Sequence, residues 1–468
     1  MAASMTPAKK APAKKAVKTS APLPPAARAV PGLAKQRAAK LPTVGDTVLD
    51  NGLRVLTVRR PGVPLVELRL RVPFAAPKGK AGAPHVARAT LLADTLLSGT
   101  EQRDATQIAI DLQSLGAQLS ASTDADRLGF GGSVLSSGLT GLLELLGELL
   151  TDASYPKREV EGERARLVQE LAIHRSSAGV VAREHLLARM YGDHPYGRDL
   201  PTGEDVEAVR PRHLRALHEA RVVPHGSVLT LVGDLSPARA TAAVAKALAG
   251  WTATSEAAPT PAAPEQHGRA ALLVDRPGAV QTTIRLGGGA PDRGAPGYAA
   301  ASLANLVFGG YFSSRWVGNI REDKGYTYSP HSGIDHPPAG SRLVAGADVA
   351  TDVTAPALLE TLYELGRIAT VPVAQAELDQ ARRYAIGTLA LSTASQAGLA
   401  GLLSQLAGAD LGVEWLREHQ SALAAVTVED VLEAGARWFA PSALTPVLVG
   451  DTAVIEDSLR TLGPLDTA

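Results

Sequence analysis

The sequence predicts an α+β fold: two homologous α/β-sandwich domains in tandem, each a mixed, largely antiparallel sheet with helices packed on one face, behind a disordered N-terminal tail. Three observations lead there. First, strand-like runs are followed by long helical runs, a segregation that suits a sheet covered by helices. Second, landmarks repeat at one spacing. Arg60-Pro61-Gly62 before a strand returns 216 residues later as Arg276-Pro277-Gly278, and the strand end Leu231-Val232-Gly233-Asp234 returns 217 residues later as Leu448-Val449-Gly450-Asp451. Two landmarks near opposite ends of each half agree to one residue, which argues for a duplicated unit of about 200 residues. Third, residues 252–266 are low-complexity and Pro/Ala-rich, the composition of a linker. The predicted divisions are a tail over 1–40, a first domain over 41–251, a linker over 252–268 and a second domain over 269–468.

The elements follow in order. Residues 1–40 are largely Ala, Lys and Pro, which bury nothing and predict disorder. Thr47–Val72 reads strand, turn, strand, with Asn51-Gly52 as the hairpin signal. Val66, Leu68, Leu70 and Val72 share one face of the second run. Val86–Leu97 has helical spacing and stops at Ser98-Gly99. Asp104 is placed to cap a helix over Ala105–Leu115, which Gly116 closes. Strands are predicted over Gln118–Thr123 and Arg127–Val134, and helices over Leu139–Leu150, Pro156–Ser177 and Val181–Tyr191. Gly192-Asp-His-Pro-Tyr-Gly197 is a turn. Pro211–Ala220 is helical, Ser227–Val232 is a buried strand and Ser236–Leu248 is the last helix of the first half.

Composition narrows the function. Of 468 residues 45% are apolar but only 4% aromatic, so Leu, Val and Ala must fill the cores. Lys+Arg and Asp+Glu both number 47, leaving no global field to draw nucleic acid or an acidic membrane. Zero cysteines exclude disulfides, thiolate metal sites and a Cys nucleophile. The N-terminus shows lysines without an apolar run of signal length, and a cytoplasmic location is expected. Ala385–Ala409 carries no charge, but Gly, Ser, Thr and Gln interrupt it, so two helices packed around a Ser/Thr turn explain it better than a membrane span.

Most familiar chemistry is missing. Neither a Gly-x-Ser-x-Gly elbow nor a phosphate loop occurs, and Gly287-Gly-Gly289 is a lone glycine run. His213 and His218 are five apart, about 140° around a helix, so they are poorly placed to share a metal. Glu163 and Glu170 share one helix face and read as a solvated or ion-paired face. The stretch Phe308–Tyr328 stands out. Gly309-Gly310 and Ser313-Ser314 break one helix and can cap the next, Arg315–Arg321 reads as a short helix, and Gly325 can end it in a left-handed turn. Tyr326–Tyr328 are strand formers. Arg321 and Tyr328 could then donate hydrogen bonds to one carbonyl-rich ligand such as a peptide backbone. In the alternative reading, Arg321 pairs with Glu322 and Tyr328 fills the core.

The pieces Leu49-Asp-Asn-Gly-Leu53, Leu97-Ser-Gly-Thr100, Leu115-Gly-Ala117, Gly192-Asp-His-Pro-Tyr-Gly197, Val232-Gly-Asp234, Ser313-Ser-Arg-Trp316 and above all Arg321-Glu-Asp-Lys-Gly-Tyr-Thr-Tyr328 resemble the pitrilysin/insulinase clan of zinc peptidases, over about residues 44–455. The likeness is to the two-chain, processing-peptidase-like type. That family's His-x-x-Glu-His motif falls where this sequence has Thr90, Ala93 and Asp94, which cannot hold zinc or activate water. The third-ligand glutamate falls at or near Glu170. The resemblance therefore implies no metal and no cofactor in this chain, and zinc in a homologous His-x-x-Glu-His partner. It also implies that Arg321 and Tyr328 bind the substrate peptide, in a chain inactive by itself. A purely structural subunit and a peptide-binding homodimer are the competing expectations; no nucleic acid and no membrane are expected as partners.

Overall fold

A computed structural model describes residues 42–252 and 260–468. The tail expected over 1–40 and residues 253–259 of the expected linker lie outside the described residues. The first sheet holds β1 (Val44–Val48), β2 (Arg54–Arg59), β3 (Leu65–Pro73), β4 (Gln118–Thr123), β5 (Arg127–Leu135) and β6 (Val228–Gly233), in the order β1-β2-β6-β3-β5-β4. The second holds β7 (Ala271–Asp275), β8 (Gln281–Gly289), β9 (His331–Asp335), β10 (Arg342–Ala350), β11 (Thr445–Gly450) and β12 (Leu465–Thr467), in the order β12-β7-β11-β8-β10-β9. Five strands correspond one to one, and β2–β6 and β7–β11 are parallel in both. The sixth edge differs. β1 comes from the start of its half and pairs antiparallel, whereas β12 comes from the end of its half and pairs parallel.

Local chemistry accounts for the elements. Asn51-Gly52 turns the β1–β2 hairpin with Gly52 at φ +87°, a conformation glycine adopts without a Cβ penalty. The helices of the first half include α1 (Gly82–Thr95), α2 (Ala105–Ser114), α3 (Leu139–Thr151), α4 (Lys157–Arg175) and α5 (Ala178–Tyr191). Asp104 caps α2, accepting from the Gln107 amide at 2.8 Å. The expected face of β3, Val66, Leu68, Leu70 and Val72, is buried against Leu91 and Leu92 of α1 and Leu142, Leu143 and Leu146 of α3. Each of these large apolar side chains contributes about 1.5–3 kcal/mol through its removal from water.

Each half's own helices take one face of its sheet; the other face receives a helix from the opposite half. The uncharged run Ala385–Ala409 is two helices, Gln375–Ser392 and Gln396–Ala407, set at 106° to each other. Among the described residues no single helix is long and apolar enough to cross a membrane. The helix Gln396–Ala407 crosses onto the first sheet, where Leu399, Ala400 and Leu403 pack on Val58 and Val232. Reciprocally, α5 packs on the second sheet, where Ala182, Leu186, Leu187 and Met190 meet Leu272, Val447 and Val449. The glycine run in β8 makes room for this contact, since a Cβ on Gly287 would lie 2.4 Å from Met190 Sδ.

The repeated Arg-Pro-Gly triplet secures the exchange. Arg60 donates to the carbonyls of Thr393 and Ala394, in the turn just before the helix Gln396–Ala407. Arg276 donates to the carbonyl of Ser176, in the turn just before α5. Leu403→Ala, which removes apolar volume from the centre of one exchanged contact, should lower unfolding free energy by about 2–5 kcal/mol in urea titration. A change under about 1 kcal/mol would mean that this contact does not hold the halves together.

Candidate functional site

The stretch around Arg321 is built on one buried helix face. Ser314 precedes a helical turn over Arg315–Val317, which continues as a wider π-turn over Gly318–Asp323. Trp316 and Ile320 are fully buried, and the Trp316 indole stacks on Phe308 at 5.2 Å while donating to Thr361 Oγ1 at 3.0 Å. Arg315 forms a two-pronged pair with Glu377 at 2.8 and 2.7 Å, holding that carboxyl below its usual range. Arg315 is thus committed to the fold.

Arg321 leaves the last turn of this helix at the surface. Gly325, at φ +66°, ends the helix: its amide reaches the Arg321 carbonyl and the Tyr326 amide reaches the Ile320 carbonyl at 2.8 Å. Here the strand expectation for Tyr326–Tyr328 fails. These residues bend across the end of β10, where Thr327 Oγ1 takes the Asp348 carbonyl at 2.7 Å, and the edge strand β9 begins only at His331. The wrap of Tyr326 back onto the helix end takes its amide out of any ladder. Tyr326 packs on the core, while Tyr328 is 81% exposed.

The two expected site residues do meet. The Arg321 guanidinium lies 5.0 Å from the centre of the Tyr328 ring and 4.5 Å from that of Phe312, so it is flanked by two aromatic rings. Its one ion pair among the described residues is Nε to Glu322 Oε1 at 3.2 Å. The pairing of the alternative reading is therefore present, but the burial of Tyr328 that it required is not. Arg321 and Tyr328 line an open groove of 690 Å³ together with Glu322, Gln281, Asp348 and Ala350. Phe312, 65% exposed, was not singled out in the sequence; nothing in its spacing announces that it lies over the guanidinium.

The positions of the degenerate zinc motif lie on α1. Thr90 turns its hydroxyl onto the Val86 carbonyl and Ala93 is buried. Asp94 faces α4, where Arg166 pairs with Glu163 at 2.5 Å, with Glu170 and, at 3.9 Å, with Asp94. Three carboxylates thus surround a guanidinium. Burial raises the Asp94 carboxyl to about 6, Arg166 opposes the shift, and Glu163 and Glu170 add to it. Glu163 and Glu170 are ion-paired, as their helix face suggested. The sequence also carried the missing signal, for Arg166 is three residues after one and four before the other. His85 is turned away, its Nε2 on the Phe74 carbonyl at 3.1 Å. Among the described residues no three His, Asp or Glu side chains are grouped to hold a metal ion, and Thr90, Ala93 and Asp94 do not fit zinc.

Comparison with known proteins bears on the family and the fold. Residues 87–202 match the family described as Insulinase (Peptidase family M16), and residues 208–384 match the one described as Peptidase M16 inactive domain. An uncharacterised zinc protease of Mycobacterium leprae is 28% identical over 307 residues, which cover 65% of this chain and 68% of that protein. The crystal structure of a peptidase M16 inactive domain from Pseudomonas fluorescens superposes with a TM-score of 0.81 at 24% identity, covering 88% of this chain and 98% of that one. A protease from Helicobacter pylori superposes with a TM-score of 0.80 at 20% identity, covering 87% of this chain and all of the other. These two likenesses concern the fold. With both halves of the sequence matched and the duplicated sheets in place, the chain belongs to the M16, insulinase-type, peptidase family.

Proposed function

We propose that this chain is the zinc-free subunit of a two-chain metalloendopeptidase, binding peptide for a homologous partner that carries His-x-x-Glu-His. The observation that carries the reading is the contrast between its two half-sites. Around Asp94 the Arg166 guanidinium is engaged by three carboxylates, whereas Arg321, with one ion pair to Glu322, lines a groove with the exposed Tyr328. Zinc and its chemistry belong to the partner. In this chain, Arg321 and the Tyr328 phenol donate to backbone carbonyls of the peptide and hold the scissile segment in register. Donors fixed before substrate arrives also favour charge that develops on a carbonyl oxygen in the transition state. A purely structural role is the second reading, favoured by the ion pairing around Arg166. The same proposal sets the complex in the cytoplasm, which cell fractionation checks.

With the partner present, Arg321→Ala should lower kcat/KM for peptide cleavage about tenfold to a thousandfold while the two chains still co-elute. Tyr328→Phe, which removes only the phenolic donor, should show a smaller loss in the same direction. Turnover equal to wild type in both variants would leave the structural reading standing.

A second test addresses the half-site around Asp94. An acid whose folded pKa is raised contributes stability at pH values below its unfolded pKa of 3.8, and that stability is lost as pH rises through about 6. Wild-type melting temperature should therefore carry a falling component between about pH 4 and 7. Asp94→Asn should flatten that component and melt higher than wild type above pH 7. Identical profiles for the two proteins would show that Asp94 is not held in its neutral form.

A further inference from the structure

A second cavity, of 430 Å³, lies in the seam between the two halves, lined by both and distinct from the Arg321 groove. Its walls carry six arginines against four aspartates, so it holds two positive charges in excess. The aspartates are used up locally: Arg71 pairs with Asp126 at 3.4 Å, Arg127 with Asp124, Arg183 with Asp199 and Arg342 with Asp335. Arg198 and Arg293 remain. Arg198 donates to the Gly79 carbonyl and, among the described residues, reaches only the carboxylate of Asp193, which is itself 87% exposed, at 3.6 Å.

Arg293 is the less satisfied of the two. It reaches no carboxylate among the described residues. Its Nη2 donates to Gln405 Oε1 at 3.1 Å, and its Nε is buried with no partner. Arg71 is also under-served. Its side chain is 13% exposed and burial lowers its pKa, while the Tyr196 hydroxyl donates at 2.6 Å to the other oxygen of Asp126. A partly buried guanidinium with unused donors costs free energy that a planar or tetrahedral oxyanion would offset through two parallel hydrogen bonds.

We infer that this seam cavity binds a compact oxyanion of charge −2 or more, of the phosphate or small polycarboxylate type, with Arg293 and Arg71 as its main donors. The positive excess matches such a charge, and the volume admits a group of a few to about a dozen heavy atoms. Because Arg71, Arg183 and Arg198 come from the first half and Arg293 and Arg342 from the second, the ligand bridges the halves. Its binding stabilises their packing by mass action, without touching the Arg321 groove.

Isothermal titration of the full chain with inorganic phosphate and with citrate, at fixed ionic strength set by chloride, tests this directly. One saturable site with Kd below about 1 mM is expected for at least one of the two, with a matching rise in melting temperature. Phosphate binding alone assigns a phosphate ligand, and citrate binding alone assigns a polycarboxylate. Arg293→Gln should weaken binding at least tenfold. Arg183→Gln, a substitution at an exposed rim pair that leaves the fold undisturbed, should weaken it severalfold. No saturable binding of either anion, or binding unchanged in both variants, overturns the inference.

Discussion

The helix Gln396–Ala407 lies on a sheet to which its own half contributes no strand, and α5 does the same in the opposite direction. This reciprocal loan sets the rest of the molecule. A sheet covered on one face only would alternate apolar and polar residues along each strand; one covered on both is apolar throughout. β6 and β11 follow the second rule, with every residue from Val228 to Gly233 and from Thr445 to Gly450 buried. Within β6, Leu229 and Leu231 face the half's own core, while Val228 and Val232 face the borrowed helix side. Neither half could be separated without uncovering one apolar sheet face and one apolar helix.

The same loan explains why the sequence repeats where it does. Arg60 and Arg276 are equivalent residues, and each holds the turn that launches the helix arriving from the other half. The turn residues Ser176 and Thr393 are themselves 217 positions apart. A guanidinium on backbone carbonyls gives a charge-assisted bond, and Arg60 reaches two carbonyls at once. The spacing is therefore a record of paired contacts between halves. It marks more than strand ends.

What could be read in advance follows from range. The hairpin at Asn51-Gly52, the cap at Asp104, the β3 face and the helix break after Ser392 depend on neighbours a few residues away, and all were legible. Where Tyr328 would go was half legible. Tyr326-Thr-Tyr328 has strand propensity, but the Gly325 turn returns the Tyr326 amide to Ile320 and Thr327 caps Asp348, so propensity loses to two specific hydrogen bonds. The approach of Asp94 to Arg166 needed the packing of α1 on α4, and the seam cavity needed six arginines drawn from positions 71 to 342. Contacts of that separation leave no local pattern to read. The Tyr196 hydroxyl, which donates to Asp126 and accepts from the Ala339 amide, shows the same limit, since its turn was visible but the bridge between halves was not.

The groove raises a question of energy. Phe312 and Tyr328 keep 65% and 81% of their surfaces in water. Burying a ring of that size elsewhere would contribute about 1.5–3 kcal/mol, whereas stacking on a guanidinium at the surface returns about 0.5–1 kcal/mol. Folding alone therefore gives no reason to place two aromatic rings around Arg321. Around Arg166 the balance runs the other way, because the donors of one guanidinium are taken up within the cluster by Glu163, Glu170 and Asp94. One site has spent its polar groups on itself. The other keeps a planar cation between two exposed rings that the protein's own core does not cover, which is the feature the proposed peptide-binding role rests on.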